Sequence, residues 1–314
     1  TRRLLTLMQL SPLFFADWAS RLLALLVNAE AALPVILVLG LVAGRRGNAG
    51  FILAATSRLA RFVLALAIVP PLWYFLDYWN QIAPFPVSGG GALGPLFIRA
   101  GYGWLFAILA SSCALFCVWL AASALTAATA DLPLDDDRYE LSRLKTPVFL
   151  FLLAATLYFL SFWLINWPFA GLPPELSMER AVAAVGKNAA RRYFMSFSAA
   201  GATGLALAAV FPVGPPALRR LAMRWLAFWA AAGYLPRLLT ILGLTIGVAV
   251  GNRAPNYDLL FHVLDAGSLL CALLCWTLIL IGKKTSPLIV AAGWFFLAAH
   301  ASAPCLRRVL APLL

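Results

Sequence analysis

The feature that most constrains this chain is a succession of about eight long apolar runs, each near the length of a membrane span. An α-helix needs about 20 mostly apolar residues to cross the hydrocarbon layer, and it satisfies its own backbone donors and acceptors there. Short basic clusters separate the runs, among them Arg45-Arg46, Arg219-Arg220, Lys283-Lys284 and Arg307-Arg308. Of the 314 residues only 11% are charged and 63% are hydrophobic, with a mean hydropathy of +0.90. Soluble domains average about 25% charged residues, so a water-soluble globule and a disordered chain are both excluded. The predicted fold class is all-α: a polytopic integral membrane protein with about eight transmembrane helices.

The first run covers about Trp18 to Ala43 and continues into a full span, so it reads as a span and not as a cleavable leader. Ahead of it, Arg2 to Phe15 is predicted to form a short interfacial helix. The second run starts after Arg58 and Arg61, meets Pro70-Pro71, and ends in the aromatic cluster Trp73 to Trp79. The third covers about Tyr102 to Ala130 and the fourth about Pro147 to Trp167. A long loop is expected over 169–192, with an amphipathic stretch from Ser177 to Ala190 lying on the surface. The remaining spans fall at Tyr193 to Phe211, Trp225 to Val250, Leu259 to Ile281 and Pro287 to Ala303.

The formal charge of +12 would suit nucleic acid in a soluble protein. Here the basic residues sit beside apolar runs, so the partner they point to is lipid headgroups and not nucleic acid. The loops after spans one, three, five and seven carry Arg45, Arg46, Arg138, Arg143, Lys145, Arg219, Arg220, Arg224, Lys283 and Lys284. The positive-inside rule then puts both termini on the extracytoplasmic side. The 5 Cys contain no CxxC; Cys113 with Cys117, and Cys271 with Cys275, share helix faces and read as packing residues. Gly243, Gly247 and Gly251 repeat every four residues, and Ala200, Gly201 and Gly204 form a similar small face; both read as sites of close helix packing.

Ionisable groups inside spans cost roughly 2.5–3.5 kcal/mol each on insertion scales, so the few present are candidates for function. They are Glu30, Arg237, His262 and Asp265, with Asp77 and His300 near span ends. At about 1.5 Å per residue, Glu30 lies about 15 Å below the outer surface, Arg237 about 12 Å and Asp265 about 9–10 Å, with His262 and His300 close to it. Arg237 and Asp265 are the natural pair, on consecutive spans. One reading of Glu30, Arg237 and Asp265 is a quinone or proton site, since a quinone headgroup needs polar partners near the membrane edge. The other is a structural ion pair between helices. His262 and His300 could hold a haem b between them, with Met195 as a His–Met alternative, or they could be interfacial residues bonded to loops. No HExxH motif, phosphate-binding glycine loop or nucleophile elbow occurs, and no metal-ligand spacing is present.

One stretch resembles a known family. Asn166-Trp167-Pro168 closes span four, and Asn188-Ala189-Ala190-Arg191-Arg192-Tyr193-Phe194-Met195-Ser196 opens span five, with Thr203-Gly204 downstream. This is similar to the span four to span five region of subunit I of cytochrome bd quinol oxidases. Weaker echoes are Ser20-Arg21-Leu22, Trp79-Asn80 and Gly94-Pro95-Leu96. The family's haem-ligand His of span five falls on Met195, its span one His near Ala29, and its span three Glu on Ala100. The resemblance therefore implies a divergent relative without the usual haem ligands. It implies two four-helix bundles, 1–168 with the interfacial helix and 193–314, joined by the extracytoplasmic loop 169–192. It further implies a bacterial inner membrane subunit of a respiratory electron-transfer complex that meets the quinone pool. Expected partners are other membrane subunits and an extracytoplasmic cytochrome c or other redox subunit, facing the basic residues Arg180, Lys187, Arg191 and Arg192. The alternatives are a non-catalytic structural subunit and a transporter, the latter on the broken helices at Pro70-Pro71 and Pro236.

Overall fold

The computed structural model describes residues 31–40, 94–129, 141–166, 178–210, 216–251, 256–282 and 286–310, together with positions 19, 22, 25 and 29. Every secondary-structure element among them is a helix. In chain order these are α1 (Ala31–Gly40), α2 (Gly94–Thr129), α3 (Leu141–Asn166), α4 (Met178–Val210), α5 (Pro216–Gly251), α6 (Asn256–Ile281) and α7 (Pro287–Leu310). Five of them, α2 to α6, are long and apolar enough to cross a membrane, and α1 and the Pro287–Ala303 part of α7 are shorter apolar helices. This is the architecture of a multi-pass helical membrane protein. Of the eight expected spans, the second lies outside the described residues, as do the helix expected over Arg2 to Phe15 and the candidate Glu30.

Local sequence explains the helix ends. Ser286 precedes Pro287, and its carbonyl accepts from Ile289 N at 3.1 Å and Val290 N at 3.3 Å. The fixed φ of a proline at the first helical position suits that start. Pro216 opens α5 in the same way. Within α5, Pro236 has no N–H to give to the carbonyl of Ala232, which is where a proline loosens a helix.

The structure extends several elements beyond their apolar runs: α2, α3 and α5 begin at Gly94, Leu141 and Pro216, ahead of the expected Tyr102, Pro147 and Trp225, and α4 and α7 are longer as well. α4 begins at Met178, so 178–192 continue span five as one helix and are not loop. The charges there hide the continuity in a hydropathy profile, but the segment is rich in alanine and carries Glu179 in its first turn, where the helix dipole favours an acid. α7 runs past Ala303 to Leu310, so His300 sits inside the helix and not at its end.

Packing divides the chain into two compact units. One holds Val27–Phe197 and Val213–Leu218; the other holds Thr1–Leu26, Ser198–Pro212 and Arg219–Leu314. In the first, α2 packs on α3 through small residues. Ala107, Ala110, Ala114, Val118 and Ala121 are buried at three- and four-residue spacing, while Leu105, Phe106, Leu109 and Phe116 face outward. That arrangement inverts a soluble core. Lipid is as apolar as leucine, so helices associate through close contact of small side chains.

In the second unit the C-terminal part of α4 packs on α5. A Cβ on Gly201 would strike the backbone of Ala230 and lie 2.6 Å from the Leu226 carbonyl, and one on Gly204 would lie 2.7 Å from a Leu226 methyl. Ser198 donates across the same contact to the carbonyl of Ala230. The small face expected around Ala200, Gly201 and Gly204 is therefore occupied. Gly243 and Gly247 differ: a Cβ at either would meet nothing within 4 Å. Among the described residues the close packing expected there is not made, since Gly243 and Gly247 are exposed.

Candidate functional site

The buried face of α7 repeats through Val290, Gly293, Leu297 and His300. These positions follow helical spacing, so His300 continues an apolar stripe and must enter the interior. On α6 the corresponding face runs through Asp265, Leu269, Ala272 and Trp276. The two stripes meet. His300 Nδ1 lies 2.6 Å from Asp265 Oδ1, with side chains only 8% and 16% exposed. Both atoms are enclosed by the surrounding helices.

A third helix closes the cluster. Tyr234 of α5 is buried and stands edge-on to the His300 ring, with centroids 5.4 Å apart. The same phenol stacks on Trp276 at 6.3 Å. Gly293 makes room for that indole, since a Cβ there would come within 2.9 Å of Trp276 Nε1. Trp294, next in sequence, donates its Nε1 hydrogen to the Ala202 carbonyl of α4 at 2.8 Å. Four helical segments are thus fastened round the Asp265–His300 pair by contacts between named groups.

The sequence-derived candidates are distributed as follows. Asp265 is brought to His300, and Arg237 and Asp265 both lie within electrostatic reach of Tyr234. The pairing puts His300 level with Asp265. His262 lies one turn before Asp265 on α6 and is half-buried. Met195 is half-buried on α4 and belongs to the Val27–Phe197 unit, whereas both histidines belong to the other. Glu30 is outside the described residues. Sequence reasoning missed Tyr234. Its signal is the spacing Ala227, Ala230, Tyr234 and Leu238, which puts it on the buried face of α5, one turn before Arg237.

A porphyrin between His262 and His300 would have to separate α6 from α7, and those helices are in direct contact through Asp265 with His300 and through Trp276 with Gly293. Among the described residues no group of three or more His, Cys, Asp or Glu is placed to hold a metal ion.

At one end of this unit, arginines of α5 close the ends of two other helices. Arg219 Nη2 donates to the Ala209 carbonyl at the end of α4, 2.9 Å away, and Arg224 Nη2 donates to the Gly282 carbonyl beyond α6, 3.0 Å away. These carbonyls are among the last of their helices and have no partner further along them. The C-terminal ends of α4 and α6 therefore lie at the same end of this unit.

Comparison of the chain with protein-family models, with curated proteins and with solved structures finds no match.

Proposed function

We propose that this chain is an eight-span membrane subunit of a respiratory electron-transfer complex in the bacterial inner membrane, with both termini extracytoplasmic. It exchanges protons with the quinone pool through the Asp265–His300 site and anchors the redox subunits that take the electrons. The observation that carries this reading is the buried Asp265–His300 contact, flanked by Tyr234. Ionisable groups so placed are costly in a membrane and mark proton and substrate sites. The sequence around Asn166-Trp167-Pro168 and 188–196 supports the respiratory assignment by its likeness to quinol oxidases.

The chemistry follows from the pair. Asp265 engages Nδ1 of His300, so Nε2 is the nitrogen that meets a quinol hydroxyl. Oxidation of a quinol releases two electrons and two protons. The imidazole of His300 accepts one proton, water at the membrane edge takes the other, and both electrons pass to a redox group of a partner subunit. Purification of the complex in mild detergent tests this. Bound quinone should be present, and Asp265→Asn should lower quinol turnover by about tenfold or more while the complex stays assembled. Full turnover in that variant, or a complex without quinone, overturns the reading.

A second reading is a non-catalytic scaffold subunit. It is favoured by Ala29, Ala100 and Met195 at the positions where the similar family carries haem and proton ligands. Under it, substitutions at Arg237, Asp265 and His300 change assembly and leave the turnover of the assembled complex untouched.

A further inference from the structure

The first half of α4 carries a feature that the quinone site does not use. Arg180, Lys187 and Arg191 are all exposed. At about 100° per residue they fall within about 40° of one another, and they rise about 16 Å along the axis. The opposite side of the same turns is buried at Val185 and Ala189. Phe194, one turn after Arg191, is 64% exposed and begins the apolar outer face of the span. The helix thus leaves the apolar zone as a straight cationic rib. A loop over 169–192 would have scattered these charges, whereas the helix lines them up.

We propose that this rib docks an acidic helical segment of a partner protein, standing alongside α4 at the membrane surface. Charge complementarity calls for carboxylates, and the spacing calls for them on one face of a helix, seven and four residues apart. A lipid surface fits less well. A headgroup layer is about 5–8 Å thick on each side of the bilayer, so it meets charges at one depth, while the rib climbs about twice that distance beyond Arg191. The proposal is independent of the quinone site, because the rib and the Asp265–His300 pair lie in different units.

The test uses the full chain in phosphatidylcholine nanodiscs and a labelled helical peptide with glutamates at the matching spacing. The expected result is binding that weakens as salt rises, because exposed pairs are screened. The triple variant Arg180→Glu, Lys187→Glu, Arg191→Glu should lose about tenfold or more in affinity. A peptide with lysines in place of the glutamates should recover binding to that variant, which shows that the variant is folded. Equal binding of the glutamate peptide to both proteins overturns the proposal, and so does failure of that peptide to bind the native chain. Binding that appears only when the nanodiscs contain phosphatidylglycerol also overturns it and assigns the rib to lipid.

Discussion

The pair α2–α3 and the packed segments of α4 to α7 solve the same problem differently. In α2 and α3, Ser111, Ser112, Thr156 and Ser161 each return their hydroxyl to a carbonyl of their own helix. The two helices meet through alanines and the rings of Phe151 and Phe162. The other unit has such local bonds too, from Thr203, Thr240, Ser268, Thr277 and Ser302, but it adds contacts that cross: Ser198, Trp294, Arg219 and Arg224 reach carbonyls of different helices, and Asp265 meets His300 across α6 and α7. Local hydroxyl bonds satisfy a polar group without selecting a neighbour. Cross-helix contacts specify which helices meet and at what rotation, which is what a site built from three helices requires.

The contrast is open to test, beginning where the effect should be greatest. His300→Leu or Asp265→Leu alone leaves its partner buried without its counterpart and should cost about 3–5 kcal/mol of stability. The double replacement should recover most of that. Unfolding in mixed detergent micelles measures both, and additive losses would show that the two residues do not act as a pair. Gly201→Ala should cost about 1–3 kcal/mol by overpacking against the Ala230 and Leu226 backbone, whereas Gly243→Ala and Gly247→Ala should cost nothing in the same assay. A destabilised Gly243→Ala would mean that its face is covered. Trp294→Phe removes the indole donor to Ala202 and should cost about 0.6 kcal/mol, the usual size of a hydrogen bond between membrane helices. Ser111→Ala, in the other region, should stay within about 0.5 kcal/mol. If the last two were reversed in size, the division between locally and mutually satisfied helices would fall.

Much of the fold was legible in the sequence, because apolar runs of span length have one stable outcome in lipid. α5 and α6 contain the expected run, and α2 and α3 contain it up to Thr129 and Asn166, the last described residues there. The start of α4 was not legible: hydropathy stops at the first arginines, but helix propensity and the buried Val185 and Ala189 carry the helix back to Met178. The site was legible in part. The cost of charge in lipid singled out Asp265, Arg237 and the histidines. Which of them would meet depended on the rotation and length of α7. The repeat Val290, Gly293, Leu297, His300 fixes the rotation, and the helical path to Leu310 puts His300 at mid-helix. A span ended at Ala303 hides both. Tyr234 was passed over because a tyrosine is unremarkable by type; only its place on the inner face of α5 sets it apart.

The arginine contacts at the start of α5 bear on how the chain is made. Arg219 reaches back to α4, already synthesised, while Arg224 reaches forward to the end of α6, which the ribosome has yet to complete. α4 and α5 can therefore lock as a hairpin while α6 is still being threaded, and the forward contact closes only after Gly282 has emerged. A nascent chain halted before that point carries Arg224 without its carbonyl.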